Sequence, residues 1–420
     1  MFDECAVHVD VPGRGAVPVG TLHSHRRHGR ESATFRYAPS WLADAGGYAL
    51  DPRLPLFEGS FHTNESQALF AAFTDAAPDR WGRRLIERSE RHRTENRGEA
   101  ARSFGEFDVL VGVRDDVRQG AIRCVDPATA TYLAPDGGGV PALLEMPSLL
   151  GAVHRIERDA EEAADLLLLL RAGSSLGGAR PKAHVIDADG QLSIAKFPSS
   201  VADEWDVMAW EQVALELARR AGIRTPASQL HRVDGKHVLV VRRFDRLGLD
   251  RVGYVSAMTL LEARDGDVRS YLEIADVISE HSPAAGRDLE ELWRRIAFSI
   301  LISNSDDHLR NHGFLRDGNG WSLSPVFDVN PNPAAAGALL STAIDEGDTS
   351  ADLERLLDVA NYFRLTRDRA RAVLSDVLSA TSSWRAVAHA AGLSKAQQAR
   401  MAPAFERDEA DVARGIITAS

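Results

Sequence analysis

The residues whose types and spacing suit chemistry lie between positions 304 and 329 of this 420-residue chain. Asp306 stands five residues before Asn311, and a second acidic residue, Asp328, follows after two short apolar runs. Protein kinases use an Asp as the base that accepts a hydroxyl proton, an Asn five residues later, and a further Asp that holds Mg²⁺ on the nucleotide phosphates. The spacing therefore predicts a phosphotransferase centre.

Two elements would position these side chains. The turn sequence Asp317-Gly318-Asn319-Gly320 between apolar runs predicts a β-hairpin, which returns Asp328 to the neighbourhood of Asn311. Because carboxylate and amide oxygens are hard ligands, Asn311 and Asp328 are predicted to bind Mg²⁺. Upstream, apolar residues repeat at the three- and four-residue spacing of an amphipathic helix that anchors the loop: Leu289, Leu292, Trp293, Ile296, Ala297, Ile300 and Leu301.

A glycine-rich stretch at 173–182 suits the nucleotide phosphates. Its glycines, Gly177 and Gly178 among them, let backbone N–H groups approach a phosphate closely. It is not a Walker A loop, because no Gly-Lys-Ser/Thr follows it. Taken alone, the stretch is read as a plain connector.

Strand signals at 184–186 and 192–197 flank an Asp-Ala-Asp-Gly turn and predict a second hairpin. Alternation along the return strand puts Lys196 on one face with Leu192 and Ile194, where an amine needs an anion as its partner. A lysine that snorkels from a strand end is the alternative. The order of glycine-rich loop and lysine nevertheless matches a kinase N-lobe.

Kinases orient this lysine with a helix glutamate. The pattern at 206–221 predicts a helix that carries Glu211 among apolar neighbours, with Glu216 as the competing choice. An apolar strand at 238–241 then leads into Arg243 and Phe244, where the sequence predicts a hinge beside adenine.

Composition limits the possible function classes. The net charge of −12 argues against a chain that grips DNA phosphates itself. Two cysteines are too few for a disulfide framework and agree with a reducing compartment. The most apolar run, 166–170, is too short to span a bilayer, and the N-terminus lacks the pattern of a secretory signal. The sequence therefore predicts a cytoplasmic protein with no membrane partner.

With both ends of the site in view, the chain resembles the HipA family of bacterial toxin kinases, the kinase half of HipA/HipB toxin–antitoxin modules. The matching motifs are Ser175-Leu176-Gly177-Gly178-Ala179-Arg180-Pro181-Lys182, Arg243-Phe244-Asp245-Arg246, Asp306-Asp307-His308 with Asn311, Phe327-Asp328-Val329, Tyr37-Ala38-Pro39-Ser40-Trp41-Leu42 and Pro78-Asp79-Arg80-Trp81-Gly82-Arg83.

The resemblance implies an α+β, HipA-like fold: a bilobal protein-kinase-like domain with a small N-terminal α/β subdomain and a mostly helical C-lobe. The implied division is an N-terminal subdomain at 1–126, a linker at 127–147, a kinase N-lobe at 148–245 and a C-lobe at 246–420. Within these regions, local patterns predict strands at 17–22 and 33–37 and helical segments at 66–91 and 152–171.

The resemblance also implies roles for individual residues. Asp306 would be the catalytic base beside His308, and Asn311 and Asp328 would bind Mg²⁺. Ser175 would be phosphorylated by the kinase itself, which in the family switches the enzyme off. The implied ATP-contacting residues are Ser175, Gly177, Gly178, Lys182, Lys196, Glu211, Arg243 and Phe244.

The implied activity is that of an ATP- and Mg²⁺-dependent serine/threonine protein kinase acting as a toxin. Its target would be a translation component such as an aminoacyl-tRNA synthetase. A HipB-like helix-turn-helix antitoxin would be its partner and would supply any contact with DNA.

Two other classes stay open from the residues alone. A metal-dependent hydrolase would gather Asp306, Asp307, His308 and His312 around one ion. A non-catalytic binding subunit would keep the fold as a docking scaffold, although the intact set of chemical residues speaks against it.

Overall fold

A computed structural model describes residues 3–64, 67–98, 104–133, 139–173, 180–334, 339–345 and 347–418. The chain divides into two compact units. Unit 1 comprises Met1–Ala202, Val233–Lys236 and Val240–Val255, and unit 2 comprises Asp203–Arg232, His237–Leu239 and Ser256–Ser420. The predicted boundaries of subdomain, linker and lobes stay predictions.

The fold mixes strands and helices, as predicted. The strands are β1 (Glu4–Val11), β2 (Gly15–Arg27), β3 (Arg30–Tyr37), β4 (Phe61–His62), β5 (Ile122–Val125), β6 (Lys182–Ile186), β7 (Leu192–Lys196), β8 (Ser228–Val233), β9 (Lys236–Arg242), β10 (Arg246–Leu247), β11 (Asp250–Arg251), β12 (Tyr254–Ser256), β13 (Gly313–Asp317) and β14 (Gly320–Leu323).

The helices are α1 (Pro39–Leu42), α2 (Ala71–Asp75), α3 (Arg80–Arg97), α4 (Glu106–Val111), α5 (Met146–Glu157), α6 (Ala163–Ala172), α7 (Val207–Arg220), α8 (Ala257–Leu260), α9 (Tyr271–His281), α10 (Ala285–Leu301), α11 (Leu353–Asp358), α12 (Arg367–Ser382), α13 (Trp384–Ala390), α14 (Lys395–Phe405) and α15 (Asp408–Thr418).

Unit 1 begins with a five-stranded antiparallel sheet in the order β4-β3-β2-β1-β5. Its β2–β3 hairpin turns through His28 and Gly29, whose φ angles of 52° and 75° suit a two-residue turn that matches strand twist. This confirms the predicted strands at 17–22 and 33–37. Alternate residues of the strands are buried, and Phe35 of β3 packs on Phe73 of α2 with ring centroids 5.6 Å apart.

The second predicted hairpin is also confirmed in unit 1. β6 and β7 pair antiparallel, with Lys182 opposite Lys196 and Ile186 opposite Leu192. The backbone N–H of Arg243, just after β9, donates to the Leu192 carbonyl at 3.1 Å. The predicted hinge segment therefore begins beside the end of β7 at which Leu192 lies.

Unit 2 contains the elements that surround the acidic loop. The predicted helix is present as α10, which is buried along most of its length and is followed by the loop. The predicted hairpin is β13–β14, with Asp317 paired to Gly320 and Gly318 at a φ of 54° in its turn. The predicted helix at 206–221 is α7, capped by the Asp206 carboxylate.

Two helix predictions are wrong in their extent. The segment predicted at 66–91 is divided into α2 and α3, because Pro78 cannot continue a helix and Asp79 caps a new one. The segment predicted at 152–171 is divided into α5 and α6, and the break contains Asp159 in the left-handed region at a φ of 53°.

Within the described ranges, no helix combines the length and the apolarity needed to cross a membrane.

Candidate active site

The acidic loop begins where α10 ends. Ser303 adopts a φ of 55°, a left-handed conformation that turns the chain sharply after the helix. The backbone N–H of Asn304 bonds back to the Ser299 carbonyl at 2.9 Å. A rigid, buried helix thus fixes the start of the loop that carries Asp306.

Asp306 and Asn311 are joined directly. The side-chain nitrogen of Asn311 donates to the backbone carbonyl of Asp306 at 3.0 Å, and its backbone N–H donates to the His308 carbonyl at 2.8 Å. Asn311 is buried, whereas Asp306 is exposed. Because this bond uses the amide nitrogen, the amide oxygen of Asn311 is the end that can face a cation.

Asp328 lies near enough to Asp306 for its charge to affect the ionisation of Asp306. The pKa of Asp306 is raised, because surrounding protein partly withdraws its carboxylate from water, and the charges of Asp328 and Asp307 add to the rise against the opposing effect of His308. Asp328 has a φ of 58°, a left-handed conformation that is costly for a residue with a side chain and is found at functional sites. The predicted set Asp306, His308, Asn311 and Asp328 therefore gathers in one region of unit 2.

These residues fit Mg²⁺ rather than zinc. A carboxylate and an amide oxygen are hard ligands, and Mg²⁺ usually takes one or two protein ligands and completes its shell with water and phosphate. Among the described residues, no group of three or more His, Cys, Asp or Glu side chains is arranged to hold a metal ion. Burial is the main cause of the raised pKa of Asp306, and a cation on Asp328 would offset the smaller part that comes from the charge of Asp328.

The hydrolase arrangement does not form. Asp307 lies in the protein interior, where its Oδ2 accepts from the Tyr271 hydroxyl at 2.7 Å and its Oδ1 lies 3.2 Å from His312 Nε2. His312 is 2% exposed. The four residues of that alternative therefore do not converge on one ion.

In unit 1, Lys196 ends β7 on a half-buried face that it shares with Leu192 and Ile194, as predicted from strand alternation. Directly opposite, Lys182 is almost fully buried, and its Nζ forms an ion pair with Asp79 at 2.7 Å. The Trp81 indole N–H donates to the Lys182 carbonyl at 3.0 Å. The prediction that Lys182 contacts ATP stays a prediction, but its amine already has an anionic partner within the protein.

Replacing Lys182 by Met is expected to lower the free energy of unfolding by about 3 kcal/mol or more, because it leaves the Asp79 carboxylate buried without its partner. Denaturant unfolding of the intact chain measures this loss. The double variant Lys182→Met with Asp79→Asn is the matched control, since Asn still caps α3. It should lose clearly less than the sum of the two single variants, and additive losses would contradict a coupled ion pair.

Arg243 of the predicted hinge is buried and belongs to a hydrogen-bond network. Its Nε donates to Asp245 at 2.8 Å, and its Nη1 donates to the Val117 carbonyl and to His184 Nε2, the latter at 3.0 Å. His184 in turn donates from Nδ1 to the Gly173 carbonyl at 3.1 Å. The network therefore connects the hinge to Gly173, the residue at which the glycine-rich loop begins.

The ionisation states in this network are set by burial and charge. Burial and the neighbouring Arg243 lower the pKa of His184 to about 3, so its ring is neutral and carries its proton on Nδ1. Burial alone raises the pKa of Asp245, but Arg243 and Arg246 outweigh it and hold that pKa well below its usual range. Burial and Arg243 lower the pKa of Arg246 to about 9.

The remaining predicted residues differ in their settings. Phe244 is half-buried and alternates with the buried Arg243 and Asp245. Glu211 is 2% exposed in α7. Glu216 instead bonds Arg219 and Arg220 of its own helix, each at 2.8 Å, and these bonds lower its pKa to about 2.

Three predicted residues of the glycine-rich loop, Ser175, Gly177 and Gly178, lie outside the described residues.

Comparison with known proteins places the chain in a family. The family model described as the HipA-like C-terminal domain matches residues 174–385, which is half of the chain. The chain belongs to the HipA family. The model of the HipA N-terminal domain also matches, at residues 14–107.

Relatives with curated names agree with membership of the HipA family. The toxin YjjJ of Escherichia coli K12 is 28% identical over 199 residues, which cover 44% of this chain and 44% of YjjJ. A Haemophilus influenzae protein that carries the provisional name of a kinase is 25% identical over 186 residues, covering 38% of this chain and 54% of that relative. The chain thus spans about half the length of these two relatives.

The fold also matches a solved HipA-family structure. The complex of HipA, HipB and operator DNA from the Shewanella oneidensis MR-1 toxin–antitoxin system contains a chain that aligns with a TM-score of 0.64 at 14% identity, covering 99% of this chain and 100% of that chain. The match bears out the HipA-like fold inferred from the motifs.

Proposed function

We propose that this HipA-family protein is an ATP- and Mg²⁺-dependent serine/threonine protein kinase that acts as the toxin of a toxin–antitoxin pair. The observation that carries the proposal is the joined arrangement of Asp306 and Asn311, with the charge of Asp328 close enough to raise the pKa of Asp306. A base beside two hard-oxygen ligands suits phosphoryl transfer.

In this proposal each residue has a physical task. Asp306 accepts the proton of the attacking hydroxyl, and its raised pKa suits a base that must take up a proton near neutral pH. Asn311 and Asp328 hold Mg²⁺, which neutralises charge on the nucleotide phosphates when bound. His308, whose charge opposes the rise in the pKa of Asp306, favours the ionised form of the base.

The nucleotide is held by residues of the first half of the family match. Lys196 contacts the ATP phosphates. Of the two candidate glutamates of α7, Glu216 is already engaged with Arg219 and Arg220, which favours Glu211 for the nucleotide. Phe244 packs near adenine, while Arg243 acts through the buried network that supports the hinge. Ser175, Gly177 and Gly178 are the further residues proposed to contact the phosphates.

Family membership supports a proposed partner and a proposed target. A HipB-like helix-turn-helix antitoxin would bind this chain and carry the contact with DNA, since a solved relative forms a complex with HipB and operator DNA and this chain has a net charge of −12. A translation component such as an aminoacyl-tRNA synthetase is the proposed substrate. A cytoplasmic location agrees with both.

The proposal is tested by incubating the purified protein with γ-labelled ATP and Mg²⁺ and following label in protein. We expect transfer that requires Mg²⁺ and that falls steeply in Lys196→Met. An absence of label in any protein of a cell extract, and in the chain itself, would overturn the kinase proposal.

Self-phosphorylation at Ser175 gives a separate expected result. Incubation with Mg²⁺ and ATP should add one phosphoryl group to the intact mass, and Ser175→Ala should lose that gain. The added dianion would repel the phosphates that the loop holds, so the modified protein should turn over ATP more slowly. Ser174→Ala is the matched control and should keep the mass gain. If the gain were lost in Ser174→Ala and kept in Ser175→Ala, the modified residue would be Ser174, which would contradict the assignment to Ser175.

A further inference from the structure

Two pairs of adjacent residues repeat one arrangement in the acidic loop. Asp306 is exposed and is followed by Asp307, which is 7% exposed. Asn311, assigned above to Mg²⁺, is followed by His312, which is 2% exposed. In each pair, the residue given a chemical task precedes one that is anchored in the interior.

Asp307 is held by three separate segments of unit 2. The Tyr271 hydroxyl of α9 donates to its Oδ2 at 2.7 Å, and the Ser299 hydroxyl of α10 lies 3.3 Å from the same oxygen. The Thr342 hydroxyl donates to the Asp307 backbone carbonyl at 2.7 Å. Both the side chain and the main chain of Asp307 are thereby fixed.

His312 is fixed next to it. Its Nε2 lies 3.2 Å from Asp307 Oδ1, and its ring meets the edge of Tyr271 with centroids 5.6 Å apart and planes at 88°. The backbone N–H of Ala257, the first residue of α8, donates to the His312 carbonyl at 2.7 Å. One tyrosine therefore contacts both anchored residues.

We propose that Asp307, His312 and Tyr271 form a buried clamp that sets the separation of Asp306 from Asn311. The inference rests on the proposed function and adds positioning residues to the same site. The clamp fixes the residue after each of the two chemical ones, and the Asn311–Asp306 bond closes the loop between them. A displacement of about 1 Å in such a site costs about 10²-fold in rate, so the clamp matters for turnover more than for nucleotide binding.

The test removes only the oxygen that joins α9 to the loop. ADP formation from ATP is measured in the presence of Mg²⁺. In Tyr271→Phe, the kcat of this reaction is expected to fall by about 10-fold or more, while KM for ATP changes by less than about 3-fold. The matched control is Tyr362→Phe, because Tyr362 is 57% exposed in the same unit. A kcat unchanged in Tyr271→Phe would overturn the clamp.

A second pair of variants tests the clamp even if Tyr271→Phe does not fold. Asp307→Asn keeps an oxygen that can accept from the Tyr271 hydroxyl, whereas Asp307→Ala removes it. Asp307→Asn should retain more kcat than Asp307→Ala, and equal losses in these two variants would contradict the clamp.

Hydrogen exchange of peptides covering 305–312 gives a readout that does not depend on activity. Exchange in these peptides should rise in Tyr271→Phe while peptides of α12 stay unchanged, and unaltered exchange at 305–312 would overturn the clamp. If the wild-type protein formed no ADP from ATP, the kinase proposal would fail. The hydrogen-exchange comparison would still show whether Tyr271 holds the loop at 305–312.

Discussion

Replacing Asp306 by Asn is expected to lower the rate of phosphate transfer from ATP by about 10²–10⁴-fold, the usual contribution of a general base. Asn has nearly the same shape and cannot accept the proton. The Asn311 bond to the backbone carbonyl of residue 306 does not depend on the side chain and should persist. Single-turnover transfer of labelled phosphate measures the loss.

The same variant should be slightly more stable than the wild type. The pKa of Asp306 is raised in the folded protein, so its ionised form opposes folding above the pKa of the unfolded chain, and this penalty disappears at lower pH. Because the side chain is exposed, the gain in Tm at pH 7 without Mg²⁺ is small, about 1–2 °C, and should vanish below about pH 4.

Asp276→Asn serves as the matched control for Asp306→Asn, since Asp276 is an exposed residue of α9. It should change neither transfer nor Tm. If Asp306→Asn kept more than about a tenth of the wild-type rate, Asp306 would not be the base. If its Tm fell by many degrees, the loss of transfer would reflect unfolding.

The largest expected effect on stability comes from Asp245→Ala, which should lower the free energy of unfolding by about 3–5 kcal/mol. Asp245 is 3% exposed, and its carboxylate accepts from Arg243, from Arg246 and from the backbone N–H of Gly120. Its removal leaves two guanidinium groups in the interior without their anion. Denaturant unfolding and Tm at pH 7 measure the loss.

The pH dependence of this loss has a defined sign. The pKa of Asp245 is depressed in the folded protein, so its contribution is complete above the unfolded pKa of about 4 and is lost as the pH falls below that value. The Tm difference between wild type and Asp245→Ala should therefore narrow as the pH is lowered from 7 to 3. Asp250→Ala, an exposed carboxylate of the same unit, should cost less than about 0.5 kcal/mol. A similar cost at both positions would contradict a special role for Asp245.

The elements predicted well from sequence are those whose signals are local. The β13–β14 hairpin was predicted because its two turn residues, Gly and Asn, favour tight hairpin turns. Helix α10 was predicted from the spacing of its apolar residues. The helix prediction at 66–91 was wrong because periodicity was followed through Pro78, although proline itself signals an interruption. The spacing of Asp306 and Asn311 was informative because the contact between them is also local.

The parts not predicted are pairings of residues distant in the chain. Lys182 and Asp79 are separated by 103 positions, and no local pattern shows that their charges meet. Arg243 and Gly120 reach the same carboxylate from positions that are likewise far apart in the sequence. Such contacts depend on how strands and loops pack, so the family motifs assigned Lys182 and Arg243 only to the nucleotide and did not show their buried partners.

The charges enclosed around Lys182 and Asp245 bear on how such chains can be divided and recombined. The partners of these residues, Asp79 and Gly120, both lie before position 174, where the match to the C-terminal domain begins, and Gly120 belongs to neither matched segment. A fragment excised at 174 would expose Lys182 and deprive Asp245 of a donor, which favours aggregation over folding. Grafting the front half of one relative onto the back half of another should succeed only where these partners are inherited together.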